Sequence, residues 1–139
     1  YEVAQHVYGT YSLGRIKLLN LALDSIEISG NGKLSIMTVT QDMLRKTNTH
    51  PEDMDGLIHY ARRIEDVKVA AMIQEVRNGY DKSNNQHRFH VSLRSDGSID
   101  VAAIAAAYGG GGHSSAAGFG IAAPLNEVKS EIAILAEKL

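Results

Sequence analysis

The chain has 139 residues, carries 14 Lys plus Arg against 16 Asp plus Glu for a formal charge of −2, and contains no cysteine. That length suits one domain, at about 100–200 residues per domain, and a chain of this size buries about two-thirds of its unfolded surface without a metal or a disulfide. The missing cysteine excludes a disulfide framework, a thiolate zinc site and a cysteine nucleophile, and the near-neutral charge argues against a bulk electrostatic grip on long nucleic acid while leaving room for a short nucleotide in one local site.

The first residue is Tyr1 rather than Met, and the chain is read as a piece of a longer protein. Residues 2–8 read as a short helix end or linker. Ser12 is an N-cap for a helix over residues 13–25. Leu13, Ile16, Leu19, Leu23 and Ile26 fall at three- and four-residue steps and predict its apolar stripe. Residues 25–29 alternate, meet the turn Gly30-Asn31-Gly32, and lead to a strand over residues 33–40, a hairpin pattern. A short helix follows over residues 41–48. Thr49-His50-Pro51-Glu52-Asp53 starts another that runs to about Arg63.

Residues 67–76 are β-rich and end at Asn78-Gly79. A polar loop spans residues 82–86, and residues 88–95 are a clear strand. Asp96-Gly97 turns, Asp100 caps a helix over residues 101–108, and Gly109 ends it in the left-handed conformation. Residues 119–121 form a short strand. Pro124 opens a last helix to about Lys138. These elements predict an α/β fold, a mixed β-sheet of about five strands with helices packed against it. No apolar run approaches the roughly 18 residues of a spanning helix, and no signal-peptide pattern opens the chain, so no membrane partner and a cytoplasmic location are expected.

The strongest chemical signal is Tyr108-Gly109-Gly110-Gly111-Gly112-His113-Ser114-Ser115-Ala116-Ala117-Gly118-Phe119. Consecutive glycines leave backbone N–H groups uncovered, and such a loop can form a nest for a phosphate. Ser114 to Ala117 could start a helical turn aimed at the same anion. His113 at the mouth can donate to a phosphate oxygen. A flexible linker is the plain alternative, but linkers stay polar and run longer, whereas this segment passes at once into Phe119 and Ile121.

The second signal is the strand around Val91. Alternation puts Phe89, Val91 and Leu93 toward a core and Arg88, His90, Ser92 and Arg94 on the other face. Arg94 can grip a phosphate bidentately; the plain alternative is a solvated outer face. His87 and His90 point to opposite faces of a strand and do not make a chelating pair. No aspartate cluster has metal-ligand spacing, so no metal site is expected in this chain.

Gly110-Gly111-Gly112-His113-Ser114-Ser115-Ala116-Ala117-Gly118 resembles the glycine-rich histidine signature of the DHH phosphoesterase superfamily. Val91-Ser92-Leu93-Arg94-Ser95 and Ile99-Asp100-Val101 resemble the segments that precede it there. The resemblance is to the C-terminal, DHH-associated domain, nearest to the nanoRNase branch of oligoribonucleases and adenosine-bisphosphate phosphatases. It implies residues 1–24 as interdomain linker and leading helix, and residues 25–139 as the substrate-binding domain. It implies an N-terminal DHH domain of the same parent chain, holding two manganese ions, across a cleft. Ser92, Arg94, Gly110, Gly111, Gly112, His113 and Ser114 would then bind a short RNA or nucleotide, with His113 also catalytic by stabilising charge on the scissile phosphate. The chain alone would be inactive, and a homodimer stays open. Two alternatives remain: a non-catalytic nucleic-acid-binding module like the C-terminal domain of alanyl-tRNA synthetases, and part of a RecJ-type single-strand exonuclease.

Overall fold

A computed structural model describes residues 10–80, 82 and 86–139. The expected linker at residues 2–8 and most of the loop at 82–86 lie outside the described residues. Helix α1 (Leu13–Asp24) starts at Ser12, whose Oγ accepts the Arg15 N–H at 3.1 Å. Strands β1 (Glu27–Ile28) and β2 (Leu34–Val39) form the expected hairpin. Helix α2 (Gln41–Thr47) is capped by Thr40 and stops at Asn48, which is left-handed at φ 52°. A 3-10 turn (Pro51–Met54), helix α3 (Ile58–Arg62) and strand β3 (Val69–Glu75) follow. Strand β4 (Arg88–Ser95), helix α4 (Val101–Ala106), strands β5 (Gly111–His113) and β6 (Ala116–Ala122), and helix α5 (Leu125–Leu135) complete the described chain, with a final 3-10 turn at Ala136–Lys138.

The six strands make one mixed sheet in the order β1-β2-β3-β4-β6-β5. Only β2 and β3 run parallel, because the segment through α2 and α3 crosses over between them. The sixth strand, β5, lies inside the glycine run, where about five strands had been expected without it. Alternation along the strands splits the side chains between two layers. On one face Leu34, Ile36, Val69, Ala71, Ile73, Phe89, Val91, Leu93, Ala117 and Phe119 pack with Val101 and Ala105 of α4 and with Val128 and Ile132 of α5. On the other, Met37, Val39, Ala70 and Met72 pack under Leu18 and Ala22 of α1, Leu44 of α2, Met54, and Ile58 and Ala61 of α3.

Two expectations change. The apolar stripe of α1 is buried only in part: Leu13, Ile16 and Leu23 are exposed, Leu19 and Ile26 pack half-buried against the core, and Leu18 and Ala22 are fully buried. The cause is Gly14, where a Cβ would lie 2.3 Å from the Thr47 carbonyl. That contact turns the line Gly14, Leu18 and Ala22, spaced by four, toward its neighbours. The long helix expected to end near Arg63 is two short pieces, because Gly56 takes φ 84° and interrupts it. Among the described residues no helix is long and apolar enough to cross a membrane.

Candidate functional site

The second face of the sheet is only half covered. Among the described residues, helices α1–α3 lie over β2 and β3, α3 reaches the near edge of β4, and β6 and β5 continue beyond them. The residues that β4 turns to this side are Arg88, His90, Ser92 and Arg94, and the strand's burial pattern alternates as the sequence predicted. Register fixes what stands beside them. Ala70 pairs with Arg94, Arg94 with Ala116, and Ala116 with His113. Directly paired residues share a face, so Arg94 and His113 stand in one row across the sheet, two strand spacings or about 10 Å apart. The next row reads Met72, Ser92, Gly118, Gly111. The predicted site residues Ser92, Arg94, Gly111 and His113 therefore lie side by side on the open half.

The glycine run differs from the loop that its composition suggested. It is a helix cap followed by a hairpin. Gly109, at φ 82°, donates its N–H to the Ala106 carbonyl, and Gly110 donates to the Ala105 carbonyl at 2.9 Å. This is the double bond pattern of a left-handed helix terminus, so neither N–H is free for an anion. Residues 111–113 then pair with β6. The helical turn proposed from Ser114 is absent: Ser114 and Ser115 form the hairpin turn, and Ala116 already belongs to β6. Their carbonyls are used as well, Ser114 O accepting from Val101 N–H at 2.9 Å and Ser115 O from Ser95 N–H at 3.0 Å. The turn is thereby fastened to the start of α4 and to the end of β4.

The glycines are not equivalent. A Cβ on Gly110 would sit 2.1 Å from the Gly118 carbonyl, and one on Gly112 would sit 2.6 Å from the Ala116 carbonyl. Both are glycine because the hairpin closes on itself there. A Cβ on Gly111 would meet nothing within 4 Å, and this residue has no left-handed φ. Nothing inside the fold demands glycine at 111. Its missing side chain leaves the open face flat beside His113. Gly118 serves the face differently: its Cβ would be 3.0 Å from His90 Nε2, so the His90 ring lies over it.

The site has an electrostatic surplus. The Arg94 Nη1 donates to the Leu93 carbonyl at 2.9 Å, and among the described residues no carboxylate lies within ion-pair distance of it. A guanidinium with one backbone acceptor keeps donors for an anion. Tyr108 holds the hairpin from the other side of the sheet. Its ring stacks on Phe119 at 4.5 Å and 14°, and its hydroxyl donates to Glu131 at 3.1 Å. Burial raises the Tyr108 phenol above its ordinary range, and the Glu131 carboxylate adds to the shift.

A cleft of about 350 Å³ opens next to Ser92 and Arg94, between the open strands and the segment before α3. Met54, Ile58 and Met72 form its buried apolar part, and Gln74, Glu52 and Asp55 line its polar edge. The sequence reading did not single out Gln74. Its signal was available: alternation along β3 puts Ala70, Met72 and Gln74 on one face, and an amide is out of place in such a series. Among the described residues, no group of three or more His, Cys, Asp or Glu could hold a metal ion.

The DHHA1 domain profile matches residues 31–138. An exopolyphosphatase-related protein from Bacteroides fragilis is similar in structure, with a TM-score of 0.78 and 24% identity over 99% of this chain. A pGpG-specific phosphodiesterase from Vibrio cholerae is similar over 89% of the chain, with a TM-score of 0.55 and 10% identity. At these identities the likeness is one of fold. The chain spans 38% of the length of each of these two proteins.

Proposed function

Because the chain belongs to the DHHA1 domain family, we propose that it is the substrate-binding half of a metal-dependent phosphodiesterase acting on short oligoribonucleotides, dinucleotides or adenosine bisphosphate. The observation that carries this reading is the row of Arg94 and His113 beside the open Gly111, on the half of the sheet that lies beyond the helix-packed core among the described residues. A guanidinium with no ion-pair partner among the described residues and an imidazole about 10 Å away, across two strand spacings, suit a ligand with more than one phosphate, or one phosphate and a neighbouring polar group. Only Ala116 stands between them in the row, and its small side chain lets the ligand backbone lie close.

The manganese pair that the resemblance implies finds no set of ligands among the described residues. It is assigned to a companion N-terminal domain facing this surface, where it would activate water and neutralise the phosphoryl group. This chain's own part is to bind and orient. Arg94 holds a phosphate that does not react. His113 donates toward the scissile phosphate, where charge spreads in the transition state. Ser92 and the strand pair Gly111 and Gly118 shape the floor, and Ser114 borders it at the hairpin turn.

Steady-state kinetics of the full-length protein on one short oligoribonucleotide test the assignment. His113→Ala should lower kcat about a hundredfold or more, by analogy with loss of an oxyanion-hole donor at about 2.7–4 kcal/mol. Arg94→Ala should act mainly on KM, because uniform binding is lost equally from ground and transition states. This chain alone, with manganese added, should cleave nothing. A His113→Ala protein with wild-type kcat and a raised KM removes the transition-state role, and absence of any phosphodiester hydrolysis by the full-length protein removes the reading.

A further inference from the structure

We infer that the cleft beside Arg94 is a nucleobase pocket, and that the Gln74 amide reads the edge of an adenine in it. The inference rests on the phosphate site proposed above and names what lies next to it. The cavity, about 350 Å³, is at the small end of the range for ligand pockets, about 300–1,000 Å³. Its buried surfaces are Met54, Ile58 and Met72. Flat π-systems pack well on such adaptable thioether surfaces, and sulfur–aromatic contacts are favourable.

The charge at the rim decides against a second phosphate. Glu52 and Asp55 both line the cleft and are exposed, and neither carboxylate takes part in an ion pair among the described residues. They would repel a phosphate and accept from an amino group. The anion therefore belongs on the Arg94 and His113 side, and an amino-bearing, uncharged group belongs in the cleft. A nucleotide has these two ends, joined by a sugar, and Arg94 stands where they meet.

Gln74 supplies the recognition. It stands one alternate position beyond Met72 on the same face of β3, paired with His90. Its amide makes no hydrogen bond with any described residue, although its neighbour Glu75 accepts from the backbone N–H of Gln41 at 2.7 Å. An amide offers one donor edge and one acceptor edge. On the N7 edge of the purine that pattern matches the amino group and N7 of adenine, whereas the two acceptors N7 and O6 of guanine on the same edge call for a guanidinium. The pocket is held in shape from outside: Arg15 of α1 donates to the Asp55 carbonyl at 3.3 Å and lies 4.4 Å from the centre of the Tyr11 ring.

The test uses the full-length protein with labelled methionine methyls. The chain has four methionines; Met54 and Met72 report on the cleft, Met37 is the cross-strand neighbour of Met72, and Met43, which does not line the cleft, serves as the control. Adenosine 5′-monophosphate, guanosine 5′-monophosphate and ribose 5-phosphate are titrated separately. The adenine nucleotide should shift the Met54 and Met72 methyls and leave that of Met43 in place, and ribose 5-phosphate should not shift the Met54 and Met72 methyls. Gln74→Leu should weaken the adenine nucleotide about 5- to 150-fold, the span of one bidentate pair, and bring it level with the guanine nucleotide. Ribose 5-phosphate binding as tightly as the adenine nucleotide, or unmoved Met54 and Met72 methyls on saturation, overturns the pocket and leaves the phosphate site standing. Guanine bound as tightly as adenine by the wild-type protein overturns the role of Gln74. If none of the three binds, the phosphate site itself is wrong.

Discussion

The two halves of the second sheet face are built by the same alternation and end up as opposites. Under α1–α3, β2 and β3 present Met37, Val39, Ala70 and Met72, all buried. Ser35 in that half is polar, yet it is fully buried and donates its hydroxyl to the Ala61 carbonyl at 2.7 Å. Beyond the helix-packed core, β4, β6 and β5 present Arg88, His90, Arg94 and His113, with Gly111, Gly118 and Gly120 between them. One half is a core and the other a platform. The difference lies in what covers each strand, since the strands pair continuously from β1 to β5.

The largest expected effect breaks the covered half. Leu18→Ala removes a fully buried side chain and should cost about 2–5 kcal/mol of stability. Urea denaturation should show a lower midpoint at an unchanged slope. Next is the hairpin that carries the platform. Gly110→Ala drives a Cβ into the Gly118 carbonyl and should destabilise by about 1–3 kcal/mol, the range for overpacking. The same change one residue later sharpens the contrast. Gly111→Ala should shift stability by less than about 0.5 kcal/mol, because no atom stands within 4 Å of the new methyl. It should still weaken ligand binding, since the methyl rises from the platform beside His113. Equal thermal midpoints for Gly110→Ala and wild type would mean that the hairpin does not close as described.

The smallest effect concerns pH. Tyr108→Phe removes the hydrogen bond to Glu131 and keeps the stack on Phe119, so the loss near neutrality should be under about 1 kcal/mol. The phenol is raised in the folded state. Folding therefore favours its neutral form, and this contribution is complete below the unfolded value of about 10 and is lost as pH rises through the folded value. Denaturation midpoints followed from pH 9 to 11 should fall less steeply in the Phe variant than in the wild type.

Local chemistry made much of this legible in advance. Ser12, Thr40 and Asp100 mark helix starts because a short side-chain oxygen can satisfy orphan N–H groups only there. Gly109 marks a helix end because a left-handed residue costs it nothing. The strand at 88–95 and its two faces follow from the period of two. The family signature covered Arg94 and His113. The misreading of the glycine run has its own cause. A run of glycines looks the same whether its N–H groups wait for a ligand or are already spent on Ala105 and Ala106, and only the fold shows that they are spent.

By itself, then, the sequence determined most of the elements, the mixed α/β class and the candidate pair Arg94 and His113, since caps, periodicity and signature residues act within a few positions of the chain. Tertiary structure alone decided the rest. It turned Gly14, Leu18 and Ala22 inward in place of Leu13, Ile16 and Leu23 of α1, because the Thr47 carbonyl leaves no room for a side chain at 14. It placed Arg94, Ala116 and His113 in one row through two strand registers that join residues far apart in sequence. It also brought Gln74 and Met72 to the cleft edge beside Arg94. Register and close approach are properties of pairs of segments, and no single segment encodes them.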